Sequence, residues 1–224
     1  MRAEMQGAAS HGCKSGSGSW YADRMTSQLE RVIVVGTSCC GKTTFSRHFA
    51  EILKYPHIEL DALYWGPRWV AKPVDEFRRL VESAVSRHRW VVDGNYGAVR
   101  DAIWPKGTLV IWLNYDFITV FRRAFIRTLR RSLSAEELYA GNRESLARAF
   151  LSRDSILWWV ISTFKRRQRS YRALRETNRF PQLEWIELRK PVEAERFLQA
   201  ITPVIYQRAG GDAPQSSSPL SADR

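Results

Sequence analysis

Cysteine is scarce in this chain, and no Cys-x-x-Cys pair or Cys/His spacing typical of a metal site occurs. The three cysteines are Cys13, in a Gly/Ser-rich stretch, and the adjacent Cys39 and Cys40. This pattern argues against a disulfide framework and against a structural zinc site. Long apolar runs are also absent: no segment of signal-peptide length lies near the start, and the densest apolar run, residues 156–161, is far too short to span a bilayer. The sequence therefore predicts a cytoplasmic protein with reduced thiols and no membrane partner.

Acidic residues are in short supply relative to basic ones. Asp and Glu total 23 against 35 Lys and Arg, which gives a net charge of +12 and a pI near 10.1. Such a surface attracts anions, so nucleotides, nucleic acids and acidic lipid surfaces are the candidate partners, and a generically basic surface around a phosphate site is the alternative. Arginine supplies most of the charge, and its planar guanidinium suits bidentate phosphate binding.

The length of 224 residues suits one α/β domain with a substantial core and leaves little room for a second. Residues 1–28 and 208–224 are rich in Gly, Ser, Ala and Pro without sustained periodicity, so we expect two disordered tails around a folded domain at 29–207. Met25 lies just ahead of the first apolar strand and is an alternative start.

Short apolar runs alternate with amphipathic helical patterns through the domain. Strands are predicted at 31–35, 57–60, 89–93, 108–113 and 184–188, from their β-branched and apolar density. Helices are predicted at 41–53, 74–88, 116–131, 154–177 and 192–207, and Pro203 is expected to kink or interrupt the last one. Strands that alternate with helices predict a mostly parallel sheet covered by helices on both faces.

The segment 36–43 reads Gly-Thr-Ser-Cys-Cys-Gly-Lys-Thr and fits G-x-x-x-x-G-K-[ST] at every fixed position. It follows a predicted buried strand and opens a predicted helix, which is the context that a phosphate loop requires. Its backbone N–H groups and the helix N-terminus are expected to hold the phosphates of ATP, with Lys42 on the β- and γ-phosphates and Thr43 on Mg²⁺. The predicted nucleotide-binding residues of this segment are Gly36, Thr37, Ser38, Cys39, Cys40, Gly41, Lys42, Thr43 and Thr44.

The adjacent cysteines of this loop have two interpretations. A thiol near a helix N-terminus can have a lowered pKa and act in redox chemistry. Simple filling of the loop is the alternative, and the more common use of a small apolar side chain there.

Asp93 is the candidate for a second metal contact. It ends an apolar strand, and an Asp at the carboxyl end of a strand beside the phosphate loop can hold Mg²⁺ through water. That role requires its strand to lie next to the first strand. The alternative is a turn residue, since Asp-Gly-Asn is a strong turn sequence.

Several motifs together resemble a bacterial family of P-loop proteins described as adenylate kinase-like, and also named DNA topology modulation proteins. The resemblance rests on GTSCCGKTT (36–44), IELDALYW (58–65), WVVDGNY (90–96), VIWLN (110–114), LYAGNRES (138–145), DSILWW (154–159) and IELRKPVEAERFL (186–198). It implies a three-layer nucleoside monophosphate kinase-like fold with a five-stranded parallel sheet in the order 2-3-1-4-5, in which the strand of Asp93 adjoins the first strand. Asn114 stands where related sequences often have Asp, and no copy of the arginine pattern that grips AMP is evident, so AMP is not the expected acceptor.

The acceptor side and the lid supply further candidates. Asp61 follows the second strand, where a carboxylate can take a proton from an acceptor hydroxyl or orient it; a helix N-cap is the alternative. Arg127 and Arg131, on a basic helix face within the helical region 116–177, are the candidates for phosphate contacts, and a solvated basic face is the alternative. By resemblance, Arg143 belongs to the lid and Arg189 flanks the adenine.

The leading functional interpretation is a Mg²⁺-dependent kinase that transfers the γ-phosphate of ATP to a small-molecule acceptor, with nucleotides and nucleosides among the candidates. A nucleic-acid-associated NTPase is the second, because basic residues interleave with aromatics at 158–172; the same stretch also fits an amphipathic helix whose aromatics pack inward. A nucleotide-binding regulator without turnover is the third.

Overall fold

A computed structural model describes residues 29–134 and 156–208 of the chain. The described residues form a five-stranded parallel sheet in the order β2-β3-β1-β4-β5, which confirms the predicted fold class and strand order. The strands are β1 (Arg31–Gly36), β2 (His57–Glu59), β3 (Trp90–Asp93), β4 (Leu109–Leu113) and β5 (Glu184–Leu188). β1 lies at the centre, and its carboxyl end leads directly into the phosphate loop.

Helices cover both faces of this sheet. They are α1 (Lys42–Leu53), α2 (Leu60–Tyr64), α3 (Val74–Ala84), α4 (Arg100–Ile103), α5 (Phe117–Ser134), α6 (Ile156–Glu176) and α7 (Pro191–Arg208). Short 3₁₀ turns lie at Pro67–Trp69, Gly97–Val99 and Trp104–Lys106. None of the described helices is both long and apolar enough to cross a membrane.

Two apolar clusters, one on each face, hold the layers together. Along β1, Val32 and Val34 point into one cluster and Ile33 and Val35 into the other, because successive strand residues face opposite sides of a sheet. The first cluster includes three phenylalanines of α1 and α7 whose ring centroids lie 5.6 to 6.1 Å apart, namely Phe45, Phe49 and Phe197. The second is built around aromatic residues of β3, β4 and α3, including Trp90, Trp112 and Phe77.

Most helix ends lie within two residues of the prediction, and the larger differences are at the ends of α3 and α5. α3 ends at Ala84, not at residue 88, because the Ser86 hydroxyl donates to the Ser83 carbonyl at 2.8 Å and closes a turn. α5 continues to Ser134. Pro203 does not interrupt α7, which runs on to Arg208 with Ile201 buried in the core just before the proline, so that part of the prediction is wrong, and the predicted kink stays a prediction. Apart from Arg208, the predicted tails lie outside the described residues.

Candidate active site

The phosphate loop takes a conformation that its two fixed glycines make available. Gly41 has φ 98°, in the left-handed region that side chains rarely adopt. A Cβ on Gly36 would lie 2.6 Å from the Leu113 carbonyl oxygen and 2.7 Å from the Cys40 sulfur. The glycine at 36 is therefore required by the close approach of β4 to the loop. Between the two glycines, the Cys40 N–H donates to the Thr37 carbonyl at 3.2 Å and closes the turn.

Lys42 lies at the start of α1 with its ammonium group held by the loop itself. Its Nζ donates to the Thr37 carbonyl at 3.2 Å. No acidic residue lies in the first turn of α1, so the partial positive charge of the helix N-terminus is not offset by a side chain within that turn. A loop of backbone N–H groups, an ammonium group and a helix N-terminus together form a site for phosphate.

The two loop cysteines differ in their surroundings. Cys40 is fully buried, and this burial raises the pKa of its thiol despite the nearby charges of Lys42 and Arg123. A raised pKa disfavours the reactive thiolate, so the loop-filling interpretation fits Cys40. Cys39 is half-buried and takes a left-handed conformation, with φ 64°.

A cluster of oxygen atoms lies beside the loop. The Thr43 hydroxyl donates to Glu59 Oε1 at 3.0 Å and lies 3.4 Å from Asp93 Oδ1. Asp93 is 1% exposed, and its Oδ2 lies 2.7 Å from His57 Nε2. β3 pairs with β1 and places Asp93 opposite Val34. The condition set for a metal role of Asp93 is thus met: its strand adjoins the first.

Glu59 and His57 were missed by the sequence reasoning. Both lie on β2, two residues apart and thus on one side of the strand, and Glu59 pairs in register with Asp93. The place of both residues beside Asp93 could have been predicted once the strand order had been inferred, because residues in register on neighbouring parallel strands carry their side chains to the same face of the sheet.

Asp61 lies in the first turn of α2, and the N-cap of that helix is Glu59. The N-cap alternative for Asp61 is therefore wrong. Its Oδ1 accepts a hydrogen bond from the Tyr96 hydroxyl at 2.5 Å. The Tyr96 ring lies 4.7 Å from Tyr64 and 5.1 Å from Phe77, between ring centroids, so an aromatic cluster fixes the group that holds Asp61.

A second hydrogen-bonded chain reaches the loop from α6. The Tyr171 hydroxyl donates to Asn95 Oδ1 at 2.6 Å, and Asn95 Nδ2 donates to the Gly36 carbonyl at 2.7 Å. Burial raises the pKa of Tyr171 to about 12, so its hydroxyl stays protonated near neutral pH. These residues join the far end of the helical region to the first residue of the phosphate loop, and the sequence reasoning assigned neither of them to the site.

Arg123 of α5 contacts the phosphate loop. Its Nη1 donates to the Cys40 carbonyl at 2.8 Å, and its guanidinium lies 5.4 Å from the centre of the Tyr115 ring. Arg127 is exposed one turn further along. The side chain of Arg131 and the whole of Arg143 lie outside what the structure describes, so the lid roles of all three stay predictions.

Arg189, after β5, is 72% exposed and pairs with Glu187, with Nε to Oε1 at 3.0 Å and Nη2 to Oε2 at 3.3 Å. Asn114 Nδ2 also donates to Glu187 Oε1, at 2.8 Å, which gives Asn114 a neutral structural role. Burial alone would raise the pKa of the Glu187 carboxyl, but the hydrogen bonds from Arg189 and Asn114 outweigh it and hold the pKa below its ordinary value. The adenine-flanking role of Arg189 stays a prediction.

The basic, aromatic segment of α6 is divided by its packing. Phe164 and Tyr171 are buried against the rest of the domain, as expected for an amphipathic helix, whereas Trp158 and Trp159 are 51% and 46% exposed. Part of the aromatic content that suggested base stacking is therefore used in the core.

Comparison with known proteins gives structural similarity only. No protein-family model matches the chain, and no curated protein matches it, so the family suggested by the motifs stays a prediction. A gluconokinase from Sinorhizobium meliloti 1021 is similar at 16% identity, a TM-score of 0.45, 81% of this chain and 94% of that one. A shikimate kinase from Bacteroides thetaiotaomicron is 17% identical, with a TM-score of 0.43, over 76% of this chain and 94% of that one. A shikimate kinase from Acinetobacter baumannii, solved in complex with shikimate, is also 17% identical, with a TM-score of 0.43, over 85% of this chain and 98% of that one.

Proposed function

We propose that this chain is a cytoplasmic kinase that transfers the γ-phosphoryl group of ATP to a hydroxyl group of a small molecule. The observation that carries the proposal is the oxygen cluster of Thr43, Glu59 and Asp93 immediately beside the phosphate loop. A phosphate site alone would serve any nucleotide-binding protein. Carboxylates gathered at the first turn of the helix that follows the loop belong to a site that also handles a metal-bound triphosphate.

The residues present fit Mg²⁺. This ion prefers hard oxygen ligands and takes one or two protein carboxylates together with phosphate oxygens and water. Thr43 and Asp93 would hold it, with Glu59 accepting a hydrogen bond from the Thr43 hydroxyl. When bound, Mg²⁺ would neutralise negative charge on the phosphates of ATP.

On the donor side, Lys42 would exchange its 3.2 Å bond to the Thr37 carbonyl for the β- and γ-phosphates of ATP. Arg123, already seated on the loop at Cys40, adds positive charge near the same phosphates. Arg127, Arg131 and Arg143 remain the candidates for lid cations that stabilise charge on the transferred group, and Arg189 for the adenine.

On the acceptor side, Asp61 would orient the attacking hydroxyl and take its proton. The acceptor oxygen forms the new bond to the γ-phosphorus, the bond from that phosphorus to the β–γ bridging oxygen breaks, and ADP leaves. Tyr96 holds Oδ1 of Asp61, so Oδ2 is the oxygen that remains for the acceptor proton. The aromatic cluster of Tyr64, Phe77 and Tyr96 keeps this carboxylate in one orientation.

The test is ADP formation from Mg-ATP with and without a pool of nucleosides, nucleoside monophosphates and small hydroxyl compounds. Lys42→Ala should lower acceptor-dependent turnover by about 100-fold or more. The matched control is Lys54→Ala, which removes an exposed lysine from the other end of the same helix and should leave turnover intact.

Asp61→Asn separates the two halves of the site. It should lower acceptor-dependent turnover by roughly 100-fold and leave the affinity for ATP unchanged. If the acceptor pool adds nothing to the rate seen in buffer, the kinase proposal fails, and DNA or RNA would then be added to ask whether a polynucleotide stimulates hydrolysis.

A further inference from the structure

An open groove of about 460 Å³ lies at the amino-terminal edge of the sheet. Arg31 begins β1 there and Thr108 precedes β4, whereas the phosphate loop follows the opposite, carboxyl end of β1. The volume falls in the range of small-molecule sites, about 300 to 1,000 Å³. Its remaining walls are the turn after α3 and the segments at 105–107 and 182.

Positive charge dominates the groove. Arg31, Arg87 and Lys106 line it, and within residues 29–134 and 156–208 none of the three makes an ion pair. The fourth basic residue, His88, lies 3.2 Å from the carboxylate of Glu30. Three unpaired cations that converge on one recess repel one another, and an anion placed between them would relieve that repulsion.

Arg31 adds an observation of a different kind. Its Nε is buried and has no hydrogen-bond acceptor among the described residues. Buried polar groups nearly always have a partner, so an orphaned one indicates a bound water or ion. An oxyanion suits the part of the Arg31 guanidinium that lines the groove, because this planar group offers paired donors.

The walls of the groove are fixed in place. The Thr108 hydroxyl accepts from the Arg31 backbone N–H and donates to the Arg31 carbonyl, both at 3.1 Å. Gln182 Nε2 donates to the carbonyls of Trp104 and Pro105 at 2.9 and 3.2 Å. A Cβ on Gly107 would lie 2.7 Å from Ile33 Cδ1, so the backbone is packed closely against the core here. A preformed recess loses little conformational freedom when a ligand enters.

We propose that this groove is a second anion-binding site, independent of the phosphate loop, for a small molecule that carries phosphate or carboxylate groups. A recess of this size, lined by three cations that are unpaired among the described residues, favours a compact anion over the extended backbone of a nucleic acid. Lys106 and Arg87 are exposed and would contact its outer charges.

The experiment uses the full chain with Lys42→Ala, which weakens the phosphate loop so that the groove dominates. Pyrophosphate and citrate are titrated separately by calorimetry, and their relative affinities distinguish a phosphate ligand from a carboxylate ligand. Adding Arg87→Gln and Lys106→Gln should weaken binding of the preferred anion at least tenfold, and both exposed side chains can be changed without disturbing the core. The matched control adds Arg79→Gln, an exposed arginine of α3 outside the groove, and should bind as the parent does.

Arg31→Lys tests the buried guanidinium, since lysine keeps the charge and lacks the planar fork; it should also weaken binding about tenfold or more, with thermal unfolding recorded to verify the fold. Unchanged affinity in the Arg87→Gln/Lys106→Gln protein overturns the proposal. So does the absence of saturable binding of either anion, or a groove-dependent affinity that is seen only with an oligonucleotide.

Discussion

Removing one hydroxyl group from α6 should loosen the phosphate loop, although that hydroxyl does not touch the loop directly. The change is Tyr171→Phe. The Tyr171 hydroxyl donates to Asn95, and Asn95 in turn donates to the Gly36 carbonyl. Tyr171 is 3% exposed, so the phenylalanine ring keeps the packing and only the hydrogen bond is lost.

The expected loss of stability follows from what remains behind. Asn95 is half-buried, so its Oδ1 loses one hydrogen bond in a partly accessible position, and the net loss of such a bond costs about 0.5–1.5 kcal/mol. We therefore expect the free energy of unfolding to fall by that amount, and the melting temperature by roughly 2–4 °C for each kcal/mol. If the Gly36 carbonyl is held less firmly and about 1 kcal/mol of this loss also weakens ATP binding, the affinity for ATP falls roughly fivefold.

Urea unfolding and ATP titration on the same preparations measure the two effects. The control is Tyr206→Phe, because Tyr206 is half-buried and its ring contact with Lys54, 6.0 Å from Nζ to the centroid, is retained by phenylalanine. Equal unfolding midpoints for Tyr171→Phe and the wild type would refute the stability argument. A loss of stability with unchanged ATP affinity would show that Asn95 holds Gly36 without help from α6.

Three further outcomes are expected. Arg123→Gln should weaken ATP binding about tenfold through the lost charge-assisted contact, while Arg122→Gln, its exposed neighbour, should not; equal losses would contradict the geometry. Phe49→Ala should lower the free energy of unfolding in urea by about 3–5 kcal/mol, because Phe49 is fully buried. Since burial raises the pKa of Tyr171 above its ordinary value of 10.0 to about 12, its contribution to stability is complete below pH 10 and is lost as the pH rises toward 12. Unfolding of the wild type in urea should therefore become easier over that interval, more steeply than in the Tyr171→Phe protein.

The sequence predicted the fold through patterns that are local. β-branched runs marked the strands, amphipathic spacing marked the helices, and the strand order came from the resemblance of the motifs to a family. The phosphate loop was also predicted from a local pattern, because G-x-x-x-x-G-K-T between a strand and a helix is a contiguous motif. Asp93 followed because it ends a strand.

Asn95 and Tyr171 were missed because their roles depend on a contact between distant parts of the chain. Asn95 meets Tyr171 across 76 positions, and no periodicity reports such a pair. Arg123 and Arg127 lie on the same face of α5 by spacing, so the pattern could not separate them. Their distances from the phosphate loop depend on how far along its axis α5 begins, which is set by the short connection after β4, and a helical period carries no information about that starting point.

The hydrogen-bonded chain from Tyr171 to Gly36 has a direction. A carbonyl can only accept, so the Gly36 oxygen requires the amide nitrogen of Asn95 on its side, and the amide oxygen then faces Tyr171. Aspartate has nearly the size and shape of asparagine, but it would set a charged oxygen against the oxygen of Gly36. Asparagine and aspartate have nearly the same shape, so what matters at position 95 is that asparagine can donate a hydrogen bond to the Gly36 carbonyl and aspartate cannot. An aspartate there would push away the residue at which the phosphate loop begins.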